Sequence, residues 1–160
     1  TLLIDYLLPG KNLYLIGTGT GLAPWLAVAR DPETYERFEK VVVVHGVRHA
    51  SELAYQDLFE KELPEHEFLG EITKDNLIYY PTVTREPFRN QGRISNQITA
   101  GTFPQNLGLP DLNPETDRVM LCGSPAMLVE LKELLEKRGF KEGNTTTPGD
   151  FVVERAFVEK

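Results

Sequence analysis

The fold is decided by the stretch LYLIGTGTG, which occupies residues 13–21. Its first four residues form a short, continuous apolar run, which is typical of a parallel strand covered on both faces. The glycines that follow stand where a backbone must turn tightly and approach a ligand closely. Residues 21–30 then show a helical pattern, with Pro24 near the first turn, where a missing N–H costs least. This order predicts a site for an anionic group, because exposed amides and the positive helix end favour one.

The alternation of apolar runs and helical patterns continues to the end of the chain. Further strands are predicted at residues 41–44, 67–73, 77–84 (or an extended loop), 118–122 and from 151 onward. Further helices are predicted at residues 51–63 and 125–138, with Ser51 as the cap of the first and Pro64 as its end. Residues 103–117 are predicted to form a loop. We expect an α/β domain with a doubly wound sheet of about five parallel strands and helices on both faces.

Length and composition describe one ordinary domain. The chain has 160 residues, 41% hydrophobic residues, a formal net charge of −7 and one cysteine. A lone Cys122 cannot form an internal disulfide, which suits a reducing, cytoplasmic setting. Neither an apolar stretch long enough to span a membrane nor the basic start of a signal peptide is found. Because the chain has no basic cluster, non-specific binding of nucleic acid is not expected.

The residues around the glycine loop can be compared with the motifs of several kinds of nucleotide-binding site. A P-loop requires Gly-Lys followed by Ser or Thr, and Gly21 is followed by Leu22 and Ala23, which excludes it. The common dinucleotide fingerprint has its third glycine where Leu22 stands, and an acid near the end of the second strand. That strand ends in HGVR at residues 45–48, and an arginine in place of the acid favours NADP over NAD. A methyltransferase-like site would also need the acid, and a turn that serves packing alone stays an alternative.

Six motifs resemble, in order and spacing, the NADP-binding half of ferredoxin–NADP reductases of the bacterial type that also works with flavodoxin. They are GTGTGLAPW at 17–25, VHGVR at 44–48, YYPTVTRE at 79–86, GRI at 92–94, MLCGSPAM at 120–127 and VERAFVEK at 153–160. Trp25 departs from the family, which usually has Phe there. The resemblance implies an enzyme that passes a hydride between NADP(H) and FAD. It further implies ferredoxin or flavodoxin as the partner for single electrons.

The resemblance also implies a domain organisation. The family holds FAD mainly in an N-terminal β-barrel through an R-x-Y-S type motif, and this chain has neither that motif nor room for the barrel. Residues 1–10 are then an interdomain linker, and residues 11–160 are the NADP-binding domain. We expect a monomer. We also expect no metal site, because the three histidines have no metal-ligand spacing with the cysteine. Two alternatives stay open: a non-catalytic NADP-binding module, and half of a related flavin reductase that serves an oxygenase or free flavin.

Individual residues acquire expected roles from the same resemblance. Arg85 and Arg93, with Thr84 beside them, match the arginines that hold the 2′-phosphate of NADP, an anion that guanidinium groups suit. Arg48 is a candidate contact of the pyrophosphate or ribose. The other expected cofactor contacts lie in the glycine loop and after the strand that ends at residue 122. They are Gly17, Thr18, Gly19, Thr20, Gly21, Leu22, Ala23, Pro24, Gly123 and Ser124.

Three residues are expected where the hydride is transferred, and two more beside the flavin. Cys122 would face the nicotinamide and flavin from the end of its strand, and would align the reactants rather than attack as a nucleophile. Thr20 is expected at the nicotinamide, and Glu154 matches a family carboxylate near it. Ala156 stands where plant-type enzymes have a tyrosine that covers the flavin. Phe157 begins an extension that packs against the FAD adenine in bacterial relatives.

Overall fold

The described part of the chain is built around one sheet of five parallel strands. In the computed structural model, which describes residues 3–19, 22–144 and 146–154, the strands are β1 Asn12–Thr18, β2 Lys40–Val47, β3 Leu77–Val83, β4 Asp117–Cys122 and β5 Phe151–Val153. Their order across the sheet is β3-β2-β1-β4-β5, and every pairing is parallel. The strand order therefore reverses between β1 and β4, at the kind of switch point where open α/β sheets bind their ligands.

Helices cover both faces of this sheet. The described α-helices are α1 Ala23–Arg30, α2 Pro32–Arg37, α3 Leu63–Glu65, α4 Leu69–Thr73, α5 Ile94–Ala100, α6 Thr102–Asn106 and α7 Pro125–Lys137. Short 3-10 helices cover Leu3–Tyr6 and Ala50–Glu52, and a π-helix covers Leu58–Glu62. The helices predicted at residues 21–30 and 125–138 are thus confirmed as α1 and α7. Within the described residues, none of these helices has the length and apolarity that a membrane crossing requires.

Neighbouring residues of the central strands are buried on opposite faces of the sheet. Tyr14 and Ile16 belong to one apolar cluster, which includes residues of α5, α6 and α7. Leu13 and Leu15 belong to a second cluster, which includes residues of α1. All four side chains are at most 1% exposed. This double burial explains why the strands are continuous apolar runs rather than alternating ones, and the predicted α/β fold with helices on both faces is confirmed.

The strand predicted at residues 67–73 is wrong. This segment contains α4, in which the Thr73 hydroxyl donates to the Leu69 carbonyl oxygen at 2.8 Å. Packing explains the difference, because α4 lies directly against the preceding helical segment. A Cβ on Gly70 would come within 2.6 Å of the Pro64 carbonyl oxygen, so the close approach requires this glycine. Such tertiary contacts override the weak strand pattern of a short segment.

The helix predicted at residues 51–63 is wrong in its limits. A 3-10 turn stands at its start and is capped by His49 rather than Ser51, and the His49 N–H donates to the Glu52 carboxylate at 2.8 Å. Regular helical residues begin only at position 56. Pro64 does not end the helix, because it occupies the first turn of α3, where the missing N–H is tolerated.

The connection between β3 and β4 contains more helix than the sequence predicts. Helix α5 was not expected, and α6 covers the start of residues 103–117, which were expected to form a loop. Ile94, Ile98 and Phe103 are buried in the first apolar cluster, so both short helices are stabilised by packing on the sheet. Gly101 separates them with a φ of 78°, in the left-handed region that favours glycine. The rest of the segment, residues 107–116, has no regular structure, as predicted.

The segment before β1 is packed against the domain. Ile4 and Leu7 are at most 3% exposed and belong to the second apolar cluster. The Arg118 guanidinium donates to the carbonyl oxygens of Leu8 and Pro9 at 3.1 and 2.7 Å. This segment is therefore part of the folded unit. Its role as a linker to a further domain stays a prediction.

Candidate functional site

An open cleft lies at the carboxyl edge of the sheet. Its volume is about 720 Å³, and the loops after β1, β2, β3 and β4 border it together with the first turn of α7. Eight of the residues predicted to contact a cofactor line the cleft: Thr18, Gly19, Arg48, Thr84, Arg85, Arg93, Gly123 and Ser124. The fold therefore brings together residues from four separate segments of the chain.

Of the remaining predicted site residues, those that the structure describes are not part of the cleft wall. Those among the described residues are Gly17, Leu22, Ala23, Pro24, Cys122 and Glu154. Those outside the described residues are Thr20, Gly21, Ala156 and Phe157. Leu22 is fully buried, and Pro24 stands in the first turn of α1. The Trp25 indole N–H donates to the Ile16 carbonyl oxygen at 2.9 Å and so attaches α1 to β1 below the glycine loop.

Both backbone polar groups of Gly19 form hydrogen bonds to residues at the end of β2. Its N–H donates to the Gly46 carbonyl oxygen at 3.0 Å, and its own carbonyl oxygen lies 2.8 Å from His45 Nε2. Its φ of 57° is in the left-handed region. A carbonyl oxygen only accepts, so His45 carries a proton on Nε2. Burial of the ring lowers the pKa of His45 and keeps it neutral. Sequence reasoning assigned His45 no role at the site.

The junction between β4 and α7 lies close to the end of β1. Gly123 has a φ of 152°, and a Cβ there would overlap the Thr18 hydroxyl. Thr18 Oγ1 accepts from the Ser124 N–H at 3.3 Å, and Ser124 Oγ caps α7 by accepting from the Met127 N–H at 3.4 Å. The first turn of α7 therefore opens on the cleft. The positive end of the helix dipole favours an anion there.

Two of the cleft arginines follow directly after paired strands. Backbone hydrogen bonds continue beyond β2 and β3, from the Thr84 N–H to the Val47 carbonyl oxygen at 3.1 Å and from the Arg85 N–H to the Arg48 carbonyl oxygen at 2.9 Å. Both arginines are exposed. Neither forms an ion pair with any residue that the structure describes, so both guanidinium groups are available to an anion in the cleft.

The third cleft arginine is engaged by an acid that sequence reasoning did not find. Arg93 Nη2 donates to Glu130 Oε2 at 2.6 Å, and Arg93 Nε lies 3.4 Å from Glu130 Oε1. The Ser95 hydroxyl also donates to Glu130 Oε1. These hydrogen bonds, from Ser95 first and Arg93 second, lower the pKa of Glu130 and keep it ionised.

A buried polar network lies beneath the loop that joins β3 to α5. The Tyr80 hydroxyl donates to Gln97 Oε1 at 2.6 Å, and Gln97 Nε2 donates to Thr82 Oγ1 at 2.8 Å and to the Gly92 carbonyl oxygen at 2.9 Å. The Gly92 N–H in turn donates to the Val83 carbonyl oxygen at 3.0 Å. The network holds together the two ends of the loop that separates Arg85 from α5. No sequence signal pointed to this network, because no helix was predicted around Gln97.

Cys122 ends β4, and Glu154 follows β5, the strand beside it. The Cys122 side chain is 2% exposed, and burial, followed by the Glu154 charge, raises the pKa of its thiol to about 11. The Glu154 N–H donates to the Leu121 carbonyl oxygen at 2.8 Å and so extends the pairing of β4 with β5. A neutral thiol is a poor nucleophile at neutral pH. Among the described residues, no group of three or more His, Cys, Asp or Glu side chains could hold a metal ion.

Comparison with known protein sequences gives one family and several relatives. Residues 15–133 match the model of the family described as oxidoreductase NAD-binding domain. The chain is 58% identical over 161 residues to a ferredoxin–NADP reductase of Pseudomonas aeruginosa, and 54% identical over 161 residues to one of Azotobacter vinelandii. Both alignments cover 100% of this chain and 62% of the relative. The chain thus spans less than two thirds of the length of these curated relatives.

A solved structure has a similar fold. It is a ferredoxin NADP+ reductase from Neisseria gonorrhoeae with bound FAD and NADP. The TM-score is 0.82 at 27% sequence identity, and the match covers 96% of this chain and 59% of that chain. The likeness therefore extends over nearly the whole chain described above.

Proposed function

Because the chain belongs to the oxidoreductase NAD-binding domain family, we propose that it is the NADP(H)-binding domain of a ferredoxin–NADP reductase. The observation that carries this proposal is the cleft, where Arg48, Arg85 and Arg93 lie with the N-terminus of α7. The formal net charge of the whole chain is −7. A local concentration of cations in an acidic chain fits a ligand with several phosphate groups.

Different residues of the cleft bind different parts of NADP(H). Arg85 and Arg93, with Thr84, bind the 2′-phosphate, and Arg48 contacts the pyrophosphate or ribose. Gly123 allows the backbone to approach the ligand closely, as does Gly19. The first turn of α7 stabilises negative charge through the positive end of the helix dipole. This donor set fits a phosphorylated dinucleotide, because NADP carries both a pyrophosphate and a separate phosphate.

The reactive end of the site needs orientation more than acid–base chemistry. When bound, NADP(H) would exchange a hydride directly with a flavin, without a covalent intermediate on the protein. Cys122 remains a neutral thiol, because burial and the Glu154 charge raise its pKa, and it is proposed to align the nicotinamide and the flavin rather than to attack as a nucleophile. Thr20 is proposed to contact the nicotinamide, and Ala156 and Phe157 to lie near the flavin. These residues hold the reacting groups in alignment, which is the protein's main contribution to such a transfer.

The activity of the whole protein is also a proposal. The relatives are named ferredoxin–NADP reductases, and the chain covers 62% of their length. We therefore propose an FAD-binding domain joined through residues 1–10, with ferredoxin or flavodoxin as the electron carrier and a monomer in the cytoplasm. Protein that carries the flavin should reduce one of these carriers with NADPH. Reduction of free flavin alone would favour the related flavin reductases instead.

A calorimetric titration with NADP and NAD tests the proposed function, after a visible spectrum has measured any bound flavin. Wild-type chain should bind NADP more tightly than NAD. The double variant Arg85→Ala/Arg93→Ala should lose roughly 3 kcal/mol of NADP binding, about 100-fold in Kd, because charge-assisted contacts to the 2′-phosphate disappear. Its affinity for NAD should stay nearly unchanged, since NAD has no such phosphate.

Arg89→Ala is the matched control for this titration. Arg89 belongs to the same loop and pairs with Glu60, outside the cleft wall. Its removal should change neither affinity by more than a small factor, because exposed ion pairs contribute little. Equal losses of NADP and NAD in the double variant would contradict the assignment of the 2′-phosphate to Arg85 and Arg93.

A further inference from the structure

Glu130 occupies one side of an arginine that the proposed function assigns to the 2′-phosphate. Its two carboxylate oxygens face Nη2 and Nε of Arg93, at 2.6 and 3.4 Å. This side-on contact does not involve Nη1, so part of the guanidinium group is still open to a second anion. Arg93 lines the cleft, whereas Glu130 is not part of its described wall.

The Glu130 carboxylate is held in place independently of Arg93. Ser95 donates its hydroxyl hydrogen to Glu130 Oε1, and Ser95 is only 5% exposed within α5. The hydrogen bonds from Ser95 and Arg93 lower the pKa of Glu130, so the side chain keeps its negative charge. An anion that binds Arg93 from the cleft therefore meets a fixed negative charge beside its binding partner.

We infer that Glu130 is a specificity-determining residue, which competes with the 2′-phosphate of the nucleotide for Arg93. The inference rests on the proposed function and adds to it the residue that limits the preference for NADP. The phosphate gains attraction from Arg93 and is repelled by Glu130, whose carboxylate is bound at the Nη2–Nε edge of the same guanidinium group. NAD carries no phosphate at this position, so its binding is independent of Glu130.

Glu130→Gln tests this competition. Glutamine keeps the shape of the side chain and an acceptor oxygen for Ser95, and it removes the charge. Calorimetric titration of the variant should show about three- to tenfold tighter binding of NADP, and unchanged binding of NAD. The gain should shrink in roughly 0.5 M salt, because screening weakens the repulsion that the wild-type side chain exerts.

Two further variants separate the charge from other effects. Glu133→Gln is the matched control, because Glu133 is exposed on the same helix, outside the cleft wall, and its replacement changes the net charge equally. It should leave the affinities for NADP and NAD unchanged. Ser95→Ala loosens the carboxylate and keeps its charge, so it should not reproduce the gain seen in Glu130→Gln. Thermal unfolding of each variant verifies that the protein titrated is folded.

Unchanged or weaker NADP binding in Glu130→Gln overturns the inference. The same gain in Glu133→Gln or in Ser95→Ala also overturns it, since the local charge would not be responsible. Failure of the proposed function has a different signature, because Arg85→Ala/Arg93→Ala would then lose NADP and NAD equally. The two failures are therefore distinguishable within one set of titrations.

Discussion

At the residue scale, His45, which binds the glycine loop, should make the free energy of unfolding depend on pH. Burial lowers the pKa of His45 below its ordinary value of 6.5, against the opposing effects of the Gly19 hydrogen bond and the Glu52 charge. The unfolded chain therefore binds a proton near pH 6.5 that the folded chain does not. The free energy of unfolding should fall as the pH drops below about 6.5, and the contribution of His45 is fully present above that pH.

The variant His45→Gln isolates this contribution. A glutamine amide can still donate to the Gly19 carbonyl oxygen, and it does not titrate. Urea unfolding between roughly pH 5 and 7.5 should show a smaller loss of stability in this variant than in the wild-type protein. His49→Gln is the matched control, because it makes the same replacement at a side chain that is 54% exposed. An unchanged slope in His45→Gln would show that other groups govern the dependence.

Part of the cleft wall was predictable from sequence, but the interactions within it were not. Thr84, Arg85 and Arg93 were expected together, and all three line the cleft, while their roles stay predictions. The pairing of Arg93 with Glu130 joins residues 37 positions apart. It depends on how α5 packs beside α7, and no local pattern in the sequence carries that information.

At the scale of elements, burial on both faces of the sheet made the strands predictable. A parallel strand covered on both sides needs a continuous apolar run, and residues 41–44 and 119–122 have this property. Helix α7 was predictable because Gly139 follows its last turn and ends it. Its Ser124 cap was not predicted and is a finding of the structure. Helices α4, α5 and α6 are short and depend on packing, which intrinsic propensity does not encode.

The polar network below α5 leads to a prediction about an element. Gln97 is 7% exposed, and Gln97→Leu would leave the Tyr80 hydroxyl without its acceptor and Gly92 without one of its donors. Urea unfolding should show a loss of about 2 kcal/mol, the range for an unsatisfied buried polar group. Amide hydrogen exchange should also increase in residues 84–92, since the network holds the ends of that loop.

Gln105→Leu is the matched control for this substitution. Gln105 lies on the neighbouring helix α6 and is exposed, so the same change of side chain should alter the free energy of unfolding by less than about 0.5 kcal/mol. Faster exchange confined to residues 84–92 in Gln97→Leu supports the role of the network. Equal exchange in both variants would show that the loop is held by its backbone hydrogen bonds alone.

At the scale of the whole molecule, the two apolar clusters differ in how they are closed. The cluster of Tyr14 and Ile16 is closed by α5, α6 and α7, which follow later in the chain. The cluster of Leu13 and Leu15 is closed partly by the segment before β1, through Ile4. If this segment connects to another domain, as proposed, its packing in the core would fix the point at which that domain is attached relative to the sheet.

Ile4→Ala measures how strongly this segment belongs to the fold. Ile4 is 0% exposed, and truncating a fully buried isoleucine typically costs about 2–5 kcal/mol, because apolar contacts are lost and a cavity is left. Leu8→Ala is the matched control, since Leu8 is 39% exposed in the same segment and should cost less than about 1 kcal/mol. The comparison is made by urea unfolding of both variants. Similar small losses would mean that the segment is only loosely attached, and its position would then depend on whatever precedes it.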